Sequence, residues 1–244
     1  MWDSETARRY DAWFDTPAGA FALGREIRLI EHMAAGWPRR GQRLLEIGCG
    51  TGIFLGVLHQ AGFDVAGLDA SPAMLEAART RMGALADLHL GDAQHLPFDD
   101  NEFDFAVLLT VLEFCPDPGL ALREAARVAR KGLLIGFLNR LSLHWLCSQA
   151  LPLGRSGSIL SRARWFPPWT MRRLITDSLG RRDCVSRSVL VGPMATWRDA
   201  TPWRQLNAPI LPLPVGAFCA SRVNLLGEPA ATPLAALKAK PGLG

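Results

Sequence analysis

Three acids close successive apolar runs: Glu46 after Leu44-Leu45, Asp69 after Val65-Ala66-Gly67-Leu68, and Asp92 after Leu90-Gly91. Between the first two lies a glycine-rich stretch, Gly48-Cys49-Gly50-Thr51-Gly52. Glycines at alternate positions permit positive φ and let a ligand press against bare backbone. The turn follows a strand pattern and precedes a helical one, which is where open α/β sheets bind ligands. An acid ending the second strand, about 20 residues further on, can accept both hydroxyls of a ribose. An acid ending the third can accept a hydrogen bond from an exocyclic adenine amine. Glu46, just before the turn, is badly placed beside a pyrophosphate and well placed beside an ammonium or sulfonium group. The spacing is GxGxG, with Ile53 where a dinucleotide fingerprint needs the glycine that lets helix and strand pack closely. Together the three acids describe a pocket for a cationic nucleoside.

Other reactive side chains are fewer. His144 lies just past the fifth strand pattern, where an acceptor would enter; the alternative is a plain helix residue. Asn139 and Arg140 end that strand at the ligand edge and are candidates for substrate contact. His95 follows the third acid and is expected on the cofactor side. Cys49 reads as a small filler rather than a nucleophile. The five cysteines form no CxxC pair, so no metal site is expected. An odd number of cysteines behind a polar N-terminus with no apolar leader fits a reducing cytoplasm.

The elements that must hold these residues alternate. Strand patterns at 43–47, 64–68, 87–90, 103–109 and 132–138 are separated by helical stretches at 53–61, 72–82 and 118–129. Such alternation implies a parallel sheet with helices on both faces. Ahead of it, 5–15 and 20–35 read as amphipathic helices separated by a break at Thr16-Pro17-Ala18-Gly19. Beyond Asn139 the pattern weakens: an apolar stretch at 141–153, a loop to 168, a helix at 169–179, and strands at 184–191 and 216–225. Residues 228–244 are rich in Ala, Pro, Lys and Gly and are expected to be a disordered tail.

The net charge is +4, and the surplus is local: eleven arginines against three acids between Arg140 and Arg204. That invites an RNA-binding reading, but no aromatic–basic RNA module is legible. The stretch 141–153 has the look of an interfacial helix, yet its polar face (Ser142, His144, Ser148, Gln149) carries no lysine or arginine. No run approaches the roughly 20 apolar residues that a transmembrane helix needs.

The ordered motifs Glu46-Ile47-Gly48-Cys49-Gly50-Thr51-Gly52, Asp69-Ala70-Ser71-Pro72-Ala73-Met74 and Gly91-Asp92-Ala93-Gln94-His95-Leu96-Pro97-Phe98 resemble those of class I S-adenosylmethionine-dependent methyltransferases. The nearest likeness is to the branch that includes the ubiquinone and menaquinone C-methylases. Phe103-Asp104-Phe105 with Glu113-Phe114-Cys115-Pro116-Asp117 is similar to the family's fourth motif, and Tyr10–Gly19 resembles a segment that covers the cofactor in some members.

The resemblance implies a Rossmann-like α/β fold whose sheet has seven strands, the last antiparallel. It implies a helical cap at 1–40, a methyltransferase domain at 41–227, and an insertion at about 140–168. It implies S-adenosylmethionine as cofactor, with Gly48, Cys49, Gly50 and Gly52 under the methionine part and Glu46 at its edge. Asp69 would take the ribose, Ala70 and Met74 the adenine ring, and Asp92 its amine beside the Ala93 backbone. Thr110 would meet the methionyl end, and Tyr10 and Phe14 would cover the cofactor. The expected reaction is in-line transfer of a methyl group to a small apolar or aromatic acceptor. A nucleic-acid methyltransferase, a non-catalytic nucleotide-cofactor module and, more remotely, a nicotinamide oxidoreductase are the alternatives.

Overall fold

The structure is a computed structural model that describes residues 2–150 and 163–227. One sheet is built from β1 (Arg43–Ile47), β2 (Asp64–Asp69), β3 (Ala86–Leu90), β4 (Phe103–Leu109), β5 (Ala129–Leu138), β6 (Cys184–Val189) and β7 (Phe218–Asn224). The order across it is β3-β2-β1-β4-β5-β7-β6. The first five strands pair in parallel, and β7 runs antiparallel to both β5 and β6. The chain changes direction of travel beside β1, where β2 lies on one side and β4 on the other. That is the switch point at which an open sheet leaves a crevice beyond its strand ends. The seven strands and the reversed final strand match the expectation.

Among the described residues the helices are α1 (Ser4–Phe14), α2 (Pro17–Ala34), α3 (Ile53–Gln60), α4 (Pro72–Met82), α5 (Pro118–Val128), α6 (Leu143–Ala150), α7 (Pro168–Leu179) and the short α8 (Trp203–Leu206). Three of them begin the same way. Thr16, Ser71 and Asp117 each accept a hydrogen bond from a backbone N–H in the first turn, and each is followed by proline. The side chain satisfies an amide that has no helical partner, and proline loses nothing at a position with none. Thr16-Pro17-Ala18-Gly19, expected to be a break, is therefore a start signal, and α2 begins at Pro17 instead of residue 20. Residues 228–244, the expected tail, and 151–162 of the expected insertion lie outside the described residues.

The core follows the two-residue period of the strands. Leu44, Val65, Phe105, Val107 and Leu134 face one side, where Leu29, Ile30 and Met33 of α2 and Leu55 and Leu58 of α3 cover them. Leu45, Ile47, Ala106, Leu108 and Ile135 face the other, under Leu122 and Ala125 of α5 and Met171 and Ile175 of α7. All seven residues of β4 are buried. Each large apolar side chain so enclosed contributes roughly 1.5–3 kcal/mol. At the sheet's amino-terminal edge Asp104 accepts from the Arg43 amide at 3.0 Å and pairs with Arg130 and, at 3.0 Å, with Lys131. Burial alone would raise its carboxyl. The hydrogen bonds from Arg130, Lys131 and Arg43 outweigh burial and hold it below the usual carboxylate range.

Candidate functional site

β1 delivers its chain into the crevice, and the next residues turn sharply. Gly48, Gly50 and Gly52 have φ of 70°, 53° and 79°, a left-handed region that glycine enters without strain. The Gly48 and Cys49 amides both donate to the Leu68 carbonyl, at 2.6 and 2.9 Å. A Cβ on Gly48 would meet Val111 at 2.4 Å, so the turn also seats against the segment after β4.

Asp69 ends β2 and holds this turn. One carboxylate oxygen accepts from the Gly50 amide at 2.9 Å and the other from Ser71 at 2.8 Å. Each oxygen keeps a lone pair for a further donor. Burial raises the carboxyl, and those two hydrogen bonds oppose the rise. Glu46 lies deeper, 2% exposed, and its Oε2 is buried with no partner. Burial, and then the nearby Asp69 charge, push it well above the ordinary range. A buried polar atom without a partner is uncommon and calls for an explanation. A cationic or hydrogen-donating ligand in the crevice would supply one.

The remaining expected positions ring this turn unequally. Ala70 is exposed at the lip, while Met74 is buried in the first turn of α4. Asp92 is exposed and accepts from the Gln94 amide at 2.9 Å, Ala93 is buried, and the exposed His95 stands 3.8 Å from Asp92. Thr110 holds φ of 56° while its amide donates to Gly136 at 2.9 Å. A left-handed threonine is strained, and such strain collects at functional sites. Burial drives the Cys49 thiol far up, followed by the charges of Glu46 and Asp69, which disfavours the nucleophilic thiolate.

α1 lies across the mouth. Tyr10 and Phe14 meet edge-to-face at 5.1 Å, and Trp2 meets Phe114 in the same way at 5.2 Å. Burial, then the charges of Glu26, Glu46, Asp11 and Asp69, raise the Tyr10 hydroxyl, which keeps it protonated. Sequence reasoning assigned no role to the residues that fasten this helix. Thr51 donates to Asp11 at 2.6 Å, Arg81 pairs with Asp11 at 2.9 Å and also donates to the Thr51 carbonyl, and Ser71 donates to the Trp2 carbonyl at 2.6 Å.

The sequence likewise assigns Glu113 no role. It is 3% exposed; one oxygen accepts from the Leu138 amide at 2.7 Å, and Oε2 is buried and unpartnered. Burial pushes it up to about 8 against the Leu138 hydrogen bond. The signal that could have found it is a lone acid inside the otherwise apolar Val111-Leu112-Glu113-Phe114.

The acceptor-side candidates divide. Asn139 is fully buried, and its amide nitrogen donates to the carbonyls of Pro214 and Gly216, both at 2.9 Å, while its oxygen accepts from Leu141. All of this is committed to backbone, so Asn139 ties the end of β5 to the approach of β7 and does not face a substrate. Arg140 is exposed and lies over the Trp145 ring at 5.3 Å. His144 is half-buried, its ring 4.7 Å from Trp197 and 5.8 Å from Trp165. Burial lowers it to about 4, which keeps the imidazole neutral. Within 165–169, Trp165 joins this group, Phe166 is buried in the core, and Trp169 points out at 64% exposed.

Residues 45–136 match the model of the methyltransferase domain family. The central region is a class I S-adenosylmethionine-dependent methyltransferase domain. Relatives of this chain include the malonyl-[acyl-carrier protein] O-methyltransferase of Serratia marcescens, 38% identical over 136 residues, which are 55% of this chain and 49% of that protein. A methyltransferase of Mycobacterium tuberculosis is 33% identical over 147 residues, 59% of this chain and 60% of the other. The chain thus spans about half to three-fifths of the length of these relatives. A Thermotoga maritima methyltransferase, described as a possible histamine N-methyltransferase, aligns over 92% of this chain and 99% of its own with TM-score 0.74 and 26% identity. The fold is shared with the Synechocystis magnesium protoporphyrin IX methyltransferase bound to S-adenosylhomocysteine, at TM-score 0.65 and 15% identity over 91% and 95% of the two chains.

Proposed function

We propose that the whole chain methylates a small apolar or aromatic molecule that enters beside His144. The observation that carries the reading is the buried, unpartnered Glu46 oxygen next to a glycine turn held by Asp69. S-adenosylmethionine, when bound, supplies an electrophilic methyl carbon on a sulfonium. Gly48, Cys49, Gly50 and Gly52 cradle its methionyl part, and Glu46 receives its ammonium. Asp69 binds the ribose, Ala70 and Met74 flank the adenine, and Asp92 with the Ala93 backbone takes the adenine edge. Thr110 borders the methionyl end. Residues 1–40 close the mouth, with Tyr10 and Phe14 over the cofactor, and exclude water.

The protein's main task in such a transfer is to hold the nucleophile about 3–3.5 Å from the methyl carbon. Rings of His144, Trp165 and Trp197 form the wall for a flat or apolar acceptor. Neutral His144 can accept a hydrogen bond from an acceptor hydroxyl or amine and orient its lone pair toward the methyl carbon. The free cysteines fit a reaction in the reducing cytoplasm.

The test has two stages. Calorimetry with S-adenosylhomocysteine should show binding that Asp69→Ala removes. Transfer of a labelled methyl group should then be screened over aromatic alcohols, amines and carboxylates, with tRNA alongside. Transfer to the small molecules that falls at least tenfold in His144→Ala supports the reading; transfer to tRNA alone would overturn it.

A further inference from the structure

We propose that the protein docks on an anionic lipid surface through the face that surrounds the acceptor entrance. α6 presents Leu143 and Leu146 to solvent at 50% and 49% exposure. Large exposed apolar side chains scattered singly are ordinary, whereas a contiguous set marks an interaction site. Here the fold draws further exposed apolar residues toward α6 from separate segments. Asn139, just before α6, is bonded to Pro214 and Gly216, which brings Leu213, 63% exposed, alongside. His144 of α6 touches Trp197, which brings the exposed Met194 to the same side.

The rim of this face is cationic. Arg140 borders α6, and Arg198 lies over the Trp203 ring at 5.7 Å. Arg25, on α2, is within electrostatic reach of Arg28 and Arg204. Against these stands Asp199, already paired with Arg204 at 3.7 Å. The sequence of α6 lacks the basic residues of an interfacial helix, and the fold supplies them from α2 and from the β6–β7 connection. Exposed leucines with arginines on the neighbouring segments suit a planar anionic layer, where the leucines enter the headgroup region and the arginines meet phosphates. Among the described residues no helix is long and apolar enough to cross a membrane, so the contact is peripheral. Docking in this way sets the acceptor entrance at the lipid boundary, where an apolar acceptor concentrates. The acceptor part of this statement rests on the proposed function; the docking itself does not.

The experiment is co-sedimentation of the full chain with vesicles of phosphatidylcholine alone and of phosphatidylcholine with about one-third phosphatidylglycerol, at low and at physiological salt. Binding should appear on the anionic vesicles and fall severalfold as salt rises. Leu143→Glu with Leu213→Glu should cut the bound fraction about tenfold. Arg198→Glu with Arg204→Glu should abolish the preference for anionic vesicles. Both double variants should keep the parent unfolding temperature and affinity for S-adenosylhomocysteine, so a failure of docking and a failure of the cofactor reading are read separately. No vesicle binding at low salt, binding unchanged in the leucine variant, or concentration-dependent self-association that the leucine variant removes would each overturn the proposal.

Discussion

The two edges of the sheet treat buried carboxylates in opposite ways. At the amino-terminal edge Asp104 is enclosed, but Arg130, Lys131 and the Arg43 amide satisfy it and keep it ionised. At the carboxyl edge Glu46 and Glu113 each have an oxygen buried with no partner, and burial pushes both toward the neutral form. An ion with its partners in the fold secures the fold; an acid left without one raises the energy of the fold until something else arrives. The first edge is built for stability, and the second for a ligand.

Substitutions at the two edges should therefore separate binding from stability. The largest effect is expected for Asp69→Ala, which removes both the ribose acceptor and the staple on Gly50. Calorimetry should find the S-adenosylhomocysteine Kd raised by roughly 100-fold or more, about 2.7 kcal/mol. An unaltered Kd would erase the distinction. Asp104→Ala should cost about 2 kcal/mol in denaturant unfolding with ligand affinity unchanged.

pH offers a sharper contrast. The Asp104 carboxyl is lowered in the fold, so its contribution is present above the ordinary value of 3.8 and is lost as pH falls through the folded value. Glu113 is raised to about 8 from 4.5, so its contribution is full below 4.5 and is lost as pH climbs toward 8. Denaturation of the ligand-free protein at pH 5 and pH 8 should show Glu113→Gln losing less stability over that interval than the parent. Equal losses would mean that Glu113 is ionised in the fold. Asp11→Ala is expected to weaken cofactor binding about fivefold, close to 1 kcal/mol, by unfastening α1 from Thr51 and Arg81. Smallest, Thr110→Gly should raise the unfolding free energy by under about 1 kcal/mol through relief of its left-handed backbone; a decrease would show that the threonine side chain does more than tolerate that geometry.

What the sequence revealed, and what it hid, follows the range of the interactions. The strands, the glycine turn and the three acids at strand ends were legible because period and punctuation are local properties. The Thr16-Pro17 start of α2 was also local, but proline and glycine so close together were read as an interruption. Asn139 was misread because position at a strand end says nothing about which carbonyls approach from Pro214 and Gly216. Asp11 finds Thr51 and Arg81 only after folding has brought distant segments together, and no spacing announces that. Exposed leucines on α6 acquire their arginine rim in the same way.

The reversal of β7 has a corollary for how such proteins diversify. β6 finishes at Val189 and β7 begins at Phe218, and the two residues lie opposite one another in the ladder. The excursion between them is thus a hairpin's arm that starts and ends beside the outlets of the parallel strands. Its length and composition can drift without shifting the register of β5 against β7. Selection can then retune what this half of the crevice admits while the nucleoside half stays constant.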